Sequence, residues 1–185
     1  MAAVRRWLTV PNGLSLLRLL LLPALVAAIH GGEAICATLV FAAAVATDFA
    51  DGHLARRMGQ ATPLGGFLDH GVDAVFVTVG LSALSLQGLI TPLLPPMIAL
   101  AFLQYAIDSF AAGHIGLRGS SLGRWNGIAY YVLLAVPLVR DALGLGFPGA
   151  GLVSLFAWGL VVTTGLSMLD RLRDTVAPAP GQGPR

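Results

Sequence analysis

The sequence predicts an all-α membrane protein, a six-transmembrane-helix bundle with both termini on the cytoplasmic side. Three observations carry this expectation. Hydrophobic residues make up 56% of the 185-residue chain and charged residues only 11%, against about 25% charged in a typical soluble domain. Six apolar segments, separated by short turn-rich breaks, come close to the ~20 residues that cross a ~30 Å hydrocarbon core. The 11 basic side chains are all Arg, and with the N-terminus inside, every one except Arg140 falls on or near the cytoplasmic side, as the positive-inside rule requires.

The first segment covers residues 12–30, with Pro11 and Asn12 as breaker and cap. Arg5 and Arg6 before it give the look of a signal peptide, but no small-residue cleavage site follows, so a retained span is expected. Gly31-Gly32 makes the turn into the second segment, 33–56, and the break at 58–62 leads to the third, 63–87. The fourth spans 93–114, the fifth 121–139 and the sixth 149–171, joined by breaks rich in Gly and Pro. Residues 1–174 therefore read as one membrane domain and 175–185, rich in Pro and Gly, as a disordered tail. The formal net charge of +2 and the lack of a basic run give no support for a nucleic-acid partner. Cys36 stands alone, which leaves no intramolecular disulfide and no Cys-based metal site. It reads as a small apolar helix residue.

An ionisable group inside a membrane span is costly and marks a functional position. Four such groups gather at two helix ends. Asp48 and Asp51 are three apart at the cytoplasmic end of the second segment, and Asp69 and Asp73 are four apart at the start of the third. Both spacings put a pair on one helical face, with Cβ atoms about 5–6 Å apart. The joining turn is short, so the two pairs are expected to face each other across an antiparallel hairpin. Four carboxylates that close cannot all stay ionised without compensating cations. Hard divalent ions with oxygen ligands suit them, and two such ions would leave positions for phosphate oxygens, as in two-metal phosphoryl-transfer sites. The blander alternative is simple ion pairing with Arg18, Arg56, Arg57 and His70. That pairing needs neither this spacing nor the small residues nearby. Gly52, Ala55 and Gly65 leave a groove beside the acids where a diphosphate can approach the backbone, and the fork of Arg56 suits a phosphate oxygen.

Asp48-x2-Asp51-Gly52-x2-Ala55-Arg56-x8-Gly65-x3-Asp69-x3-Asp73 resembles, position for position, the signature of the CDP-alcohol phosphatidyltransferase family. The resemblance implies that Asp48, Asp51, Asp69 and Asp73 bind two divalent metals, Mg²⁺ or Mn²⁺. It also implies that Asp73 is the catalytic base for the acceptor hydroxyl, and that Asp51, Gly52, Ala55, Arg56 and Gly65 bind the CDP group. The reaction implied is attack of an alcohol on the lipid-side phosphorus of a CDP-lipid, with CMP leaving. The partners implied are a CDP-lipid donor, a small alcohol acceptor and membrane lipids, with homodimer formation left open. The location implied is a bacterial inner (plasma) membrane, active site facing the cytoplasm.

Pro11-Asn12-Gly13-Leu14-Ser15-Leu16-Leu17-Arg18 resembles the opening of phosphatidylglycerophosphate synthases, which use CDP-diacylglycerol and glycerol 3-phosphate. Asp69-His70-Gly71-Val72-Asp73 is instead similar to choline and ethanolamine phosphotransferases, which join a CDP-alcohol to diacylglycerol. Where phosphatidylglycerophosphate synthases commonly carry a Lys-rich element, this chain has Gly123-Arg124-Trp125-Asn126-Gly127. The expected acceptor is thus a small anionic alcohol such as glycerol 3-phosphate, with Arg118 and Arg124 as its binding residues. The choline/ethanolamine type is the alternative. A non-enzymatic cation transporter fits less well, because its acids belong at the midplane and on several spans.

Other features weigh less. Gly144-Leu145-Gly146-Phe147-Pro148-Gly149 fits a nucleotide-loop pattern literally but lacks the strand and helix that pattern needs, and reads as a loop. His70 lies between two proposed ligands and reads as an orienting or solvent-facing side chain. Asp108 either pairs with an Arg on the cytoplasmic side or lines the acceptor pocket. Trp125, Tyr130 and Tyr131 read as interfacial aromatics.

Overall fold

A computed structural model describes residues 10–57, 63–111 and 121–176, with side chains described for 16–50, 57, 65–110 and 121–173. Six helices fill these stretches: α1 (Val10–His30), α2 (Ala34–Arg57), α3 (Pro63–Leu86), α4 (Leu94–Ala111), α5 (Ser121–Ala142) and α6 (Ala150–Val176). Each expected segment is one helix, and no strand occurs among the described residues. The break at 58–62, residues 112–120 with Arg118, and the tail from 177 lie outside the described residues.

α5 runs past the expected end at Val139 because its polar last turn is internally satisfied. Arg140 Nε donates to Asp141 Oδ1 at 2.6 Å and its Nη1 to the Pro148 carbonyl at 3.1 Å. The helix then closes with Leu145 N donating to the Arg140 carbonyl at 2.8 Å and Gly144 at φ 62°, the left-handed residue that ends many helices.

Among the described residues, three helices are long and apolar enough to cross a membrane, over Gly65–Leu86, Ser121–Ala142 and Ala150–Arg173. The others carry shorter apolar stretches, Leu16–His30, Ala34–Ala50 and Leu94–Phe110. Large apolar side chains also cover the outside of the bundle; Leu20, Phe49 and Leu86 are 74%, 76% and 78% exposed. Such a surface suits lipid rather than water. These features point to a membrane protein.

The helices pack as two four-helix groups that share α3 and α5. One group is α1, α2, α5 and α3; the other is α3, α4, α6 and α5. The apolar core runs along the shared pair, where Phe76, Leu81, Leu84, Leu133 and Leu134 are almost fully buried. Gly80 allows the close approach of α3 to α5: a Cβ there would lie 2.7 Å from Leu134 Cδ2. In lipid, interhelical polar bonds and small contact residues replace the hydrophobic drive for packing. Accordingly, Thr38 Oγ1 bonds the Leu138 carbonyl at 2.9 Å, Gln104 Nε2 the Met168 carbonyl at 3.1 Å, and Tyr130 shares a 2.6 Å bond with Thr164.

The backbones of the acid-bearing helices α2 and α3 stay apart among the described residues, and α1 packs against both. Side chains bridge the gap: the rings of Phe41 on α2 and Phe76 on α3 lie 6.4 Å apart, and Arg18 of α1 pairs with Asp48, Asp69 and Asp73. The expected facing of acids from the two helices is present for these three.

Candidate functional site

Arg18 is fully buried in an apolar run of α1, where an unpaired guanidinium would be prohibitively costly. Its partners come from the two neighbouring helices. Nη2 lies 2.9 Å from Asp48 Oδ1 and 2.8 Å from Asp69 Oδ1, and Nη1 donates to Asp73 Oδ1. Tyr131 Oη of α5 donates to the same Asp73 oxygen at 2.9 Å. Asp69 and Asp73 share a face of α3 because they are one turn apart; Asp48 reaches them from the last turns of α2.

Asp48, Asp69 and Asp73 each offer one carboxylate oxygen within 4.8 Å of the others. Oxygens on opposite sides of a bound Mg²⁺ or Ca²⁺ are separated by about twice a 2.0–2.6 Å bond, so the spread matches one shared hard cation. The charges match as well, since one guanidinium cannot balance three carboxylates. The residues present therefore fit a divalent metal.

Asp48 of α2 and Asp73 of α3 also line a cavity of about 710 Å³ whose other lining comes from α3, α4, α5 and α6. That lining includes Arg124, Asn126, Tyr130 and Tyr131 from α5, Tyr105 from α4, and Thr164, Ser167 and Arg171 from α6. Volumes of about 300–1,000 Å³ are usual for small-molecule sites. The space thus brings two carboxylates and two Arg residues to one lining. Ile98, Phe102 and Val77 supply apolar surface.

The structure brings together Asp48, Asp69 and Asp73 from the predicted site. Gly65 stands one turn before Asp69 in the first turn of α3 and is partly exposed. Arg124 is exposed near the start of α5 and lines the cavity. The backbone of Asp51, Gly52, Ala55 and Arg56 is helical in α2, but their side chains lie outside the described residues, as does all of Arg118. His70 is exposed and its ring stacks on Tyr105 at 6.1 Å. Asp108 is half-buried on α4 and takes no part in the acid cluster.

Sequence reasoning placed Tyr130 and Tyr131 at the membrane interface with Trp125. Trp125 is 68% exposed, but Tyr130 is buried against Thr164 and Tyr131 points inward to Asp73. Polar partners inside the bundle draw both hydroxyls away from the rim. Arg18 was expected only as one of several ion-pair partners of the acids; the structure makes it the shared partner of Asp48, Asp69 and Asp73, as a charge inside an apolar helix requires. Nothing local to Tyr131 signals its contact with Asp73.

A family model described as CDP-alcohol phosphatidyltransferase matches residues 8–166. Among similar proteins is the CDP-diacylglycerol–glycerol-3-phosphate 3-phosphatidyltransferase of Pseudomonas fluorescens, 42% identical over 77 residues, or 40% of each chain. The protein of the same name from Yersinia pestis (strain Pestoides F) is 42% identical over 78 residues, 40% of this chain and 42% of its own. From Arabidopsis thaliana, CDP-diacylglycerol–glycerol-3-phosphate 3-phosphatidyltransferase 2 is 29% identical over 186 residues, 84% of this chain and 78% of its own. The chain thus spans about two-fifths of the length of the bacterial relatives it matches.

Proposed function

The chain belongs to the CDP-alcohol phosphatidyltransferase family, and on that premise we propose that it transfers a phosphatidyl group from CDP-diacylglycerol to a small anionic alcohol such as glycerol 3-phosphate, releasing CMP in phospholipid biosynthesis. One observation carries this reading: the carboxylates of Asp48 and Asp73 and the guanidinium groups of Arg124 and Arg171 line one cavity. The carboxylates suit a metal-bound diphosphate, and the Arg residues suit an acceptor with its own phosphate. The printed activity of the relatives supports the same donor and acceptor.

Asp48, Asp51, Asp69 and Asp73 would hold two divalent ions, Mg²⁺ or Mn²⁺. When bound, such ions neutralise and polarise phosphate oxygens. With Arg18 included, two ions and four carboxylates leave a small net positive charge, the sign that attracts a diphosphate. Gly52, Ala55, Arg56 and Gly65, with Asp51, shape the cytidine diphosphate pocket.

Asp73 is the base. The Arg18 and Tyr131 bonds both fall on its Oδ1, which leaves Oδ2 for the proton of the acceptor hydroxyl. The alcohol oxygen forms a bond to the lipid-side phosphorus, the bond from that phosphorus to the CMP oxygen breaks, and CMP leaves with the electron pair. Arg118, Arg124 and Arg171 answer the charge of the acceptor phosphate, through the bidentate geometry that Arg offers. Six spans with both termini cytoplasmic put this chemistry where soluble CMP and glycerol 3-phosphate are found, at a bacterial inner membrane.

Product identification tests the reading. Purified protein, given CDP-diacylglycerol, Mn²⁺ and a panel of alcohols, should yield phosphatidylglycerophosphate by mass spectrometry. A product formed only from CDP-choline or CDP-ethanolamine with diacylglycerol would replace this reading with the choline/ethanolamine type.

A further inference from the structure

Among the described residues, two hydrogen-bond donors in the cavity wall have no partner. Asn126 is 4% exposed and Tyr105 8% exposed; Asn126 Nδ2 and Tyr105 Oη are both buried without a hydrogen bond. Buried polar side chains nearly always find partners, and each exception calls for an explanation. The same wall shows the ordinary outcome in Tyr130 and Thr164, which bond each other at 2.6 Å.

The two orphans cannot satisfy one another as readily. Tyr105 is on α4 and Asn126 on α5, helices whose backbones do not come close among the described residues, and both residues line the cavity. The Tyr105 ring is also held in place. It stacks on Phe67 at 6.4 Å and on His70 at 6.1 Å, and the Arg171 guanidinium lies 4.9 Å from its centroid. A ring this constrained presents its hydroxyl at a fixed point.

We infer that Asn126 and Tyr105 are specificity-determining residues that bind a second, non-attacking hydroxyl of the acceptor alcohol. This inference rests on the transferase reading above and deepens it. The chemistry selects a class of acceptor. A hydroxyl oxygen has two lone pairs and accepts from the Asn126 amide and the Tyr105 hydroxyl at once. A trimethylammonium group offers no acceptor, and a simple alcohol phosphate offers nothing beyond its phosphate, which Arg124 and Arg171 already face. The acceptor is therefore a polyol phosphate whose attacking hydroxyl has a hydroxyl neighbour. A site built to bond a substrate hydroxyl discriminates strongly against the analogue that lacks it.

The test compares glycerol 3-phosphate with 3-hydroxypropyl phosphate, which keeps the attacking hydroxyl and the phosphate but lacks the middle hydroxyl. CMP release from CDP-diacylglycerol gives kcat/KM for both acceptors with the wild-type chain, Tyr105→Phe and Asn126→Ala. Wild type should prefer glycerol 3-phosphate by about tenfold or more, equal to about 1.4 kcal/mol per factor of ten. The preference should fall below about threefold in at least one variant, through slower use of glycerol 3-phosphate with the analogue nearly unchanged. Tyr105→Phe keeps the ring and its stacking, so loss of the hydroxyl is isolated from loss of fold. Equal loss with both acceptors would make the pair structural or phosphate-binding and overturn the inference. An indifferent wild type, or a preference intact in both variants, would overturn it too. A wild type that uses neither phosphorylated alcohol refutes the proposed function itself, and the subsite with it.

Discussion

Replacing Arg18 by Met keeps an unbranched, though shorter, side chain in α1 and removes the charge that three acids share. Arg18 is fully buried, whereas the side chains of Asp48, Asp69 and Asp73 are 39%, 32% and 28% exposed. Removing one partner of a buried ion pair costs about 3–5 kcal/mol, because the remaining charge is left uncompensated. Solvent reaches these carboxylates, so the lower end applies, about 3 kcal/mol. Unfolding in mixed micelles with increasing SDS, followed by Trp fluorescence, measures the loss. Asp73→Asn in the Arg18→Met background removes one of the stranded charges, and the combined loss should be smaller than the sum of the two. Divalent cations should also stabilise the variant more than the wild type at equal concentration, since the same acids then lack their protein counter-charge. The reasoning is refuted if Arg18→Met unfolds within about 1 kcal/mol of the wild type, the range of an exposed ion pair, or if cations stabilise both proteins alike.

Tyr131→Phe removes a hydrogen bond to the Asp73 carboxylate worth about 1.5–3 kcal/mol, so kcat should fall roughly 10- to 150-fold while the acceptor KM moves little; a KM effect alone would make Tyr131 a binding residue. Gly80→Ala sets a Cβ 2.7 Å from Leu134 Cδ2, and with Leu134 fully buried the overpacking should cost about 1–3 kcal/mol in SDS unfolding. Leu134→Ala in the same chain should recover part of that loss, and a stable single variant would contradict the close approach of α3 to α5. Reporter fusions at Gly32 and Gln87 should read non-cytoplasmic and those at Gln60 and Gly119 cytoplasmic; a cytoplasmic Gly32 would reverse the orientation.

Much of this architecture was legible because membrane helices announce themselves locally. The turn at Gly31-Gly32 and the start at Pro63 are written in residues that break or cap a helix, and the observed helices begin within a residue or two of the expected positions. The acid spacings were equally legible, since three- and four-residue separations fix a shared face. What stayed hidden depends on pairing between distant helices. Asp48 and Asp73 meet through Arg18, a residue 55 positions from Asp73, and no local pattern in α1 states which neighbour its guanidinium faces. Tyr130 and Tyr131 had the composition of an interfacial belt. Their inward turn follows from Thr164 and Asp73 on other helices, a fact of packing rather than of periodicity.

The central claim is that the acids gathered around Arg18 drive metal-dependent phosphatidyl transfer. Its most direct measurement is CMP release by the purified chain from CDP-diacylglycerol and glycerol 3-phosphate, with Mn²⁺ or with EDTA, in the wild type and in Asp73→Asn. The wild type should turn over only with the metal, and Asp73→Asn should lose about 10²–10⁴-fold, the usual contribution of a catalytic base. Turnover that survives chelation, or an Asp73→Asn variant within a few-fold of the wild type, would contradict it.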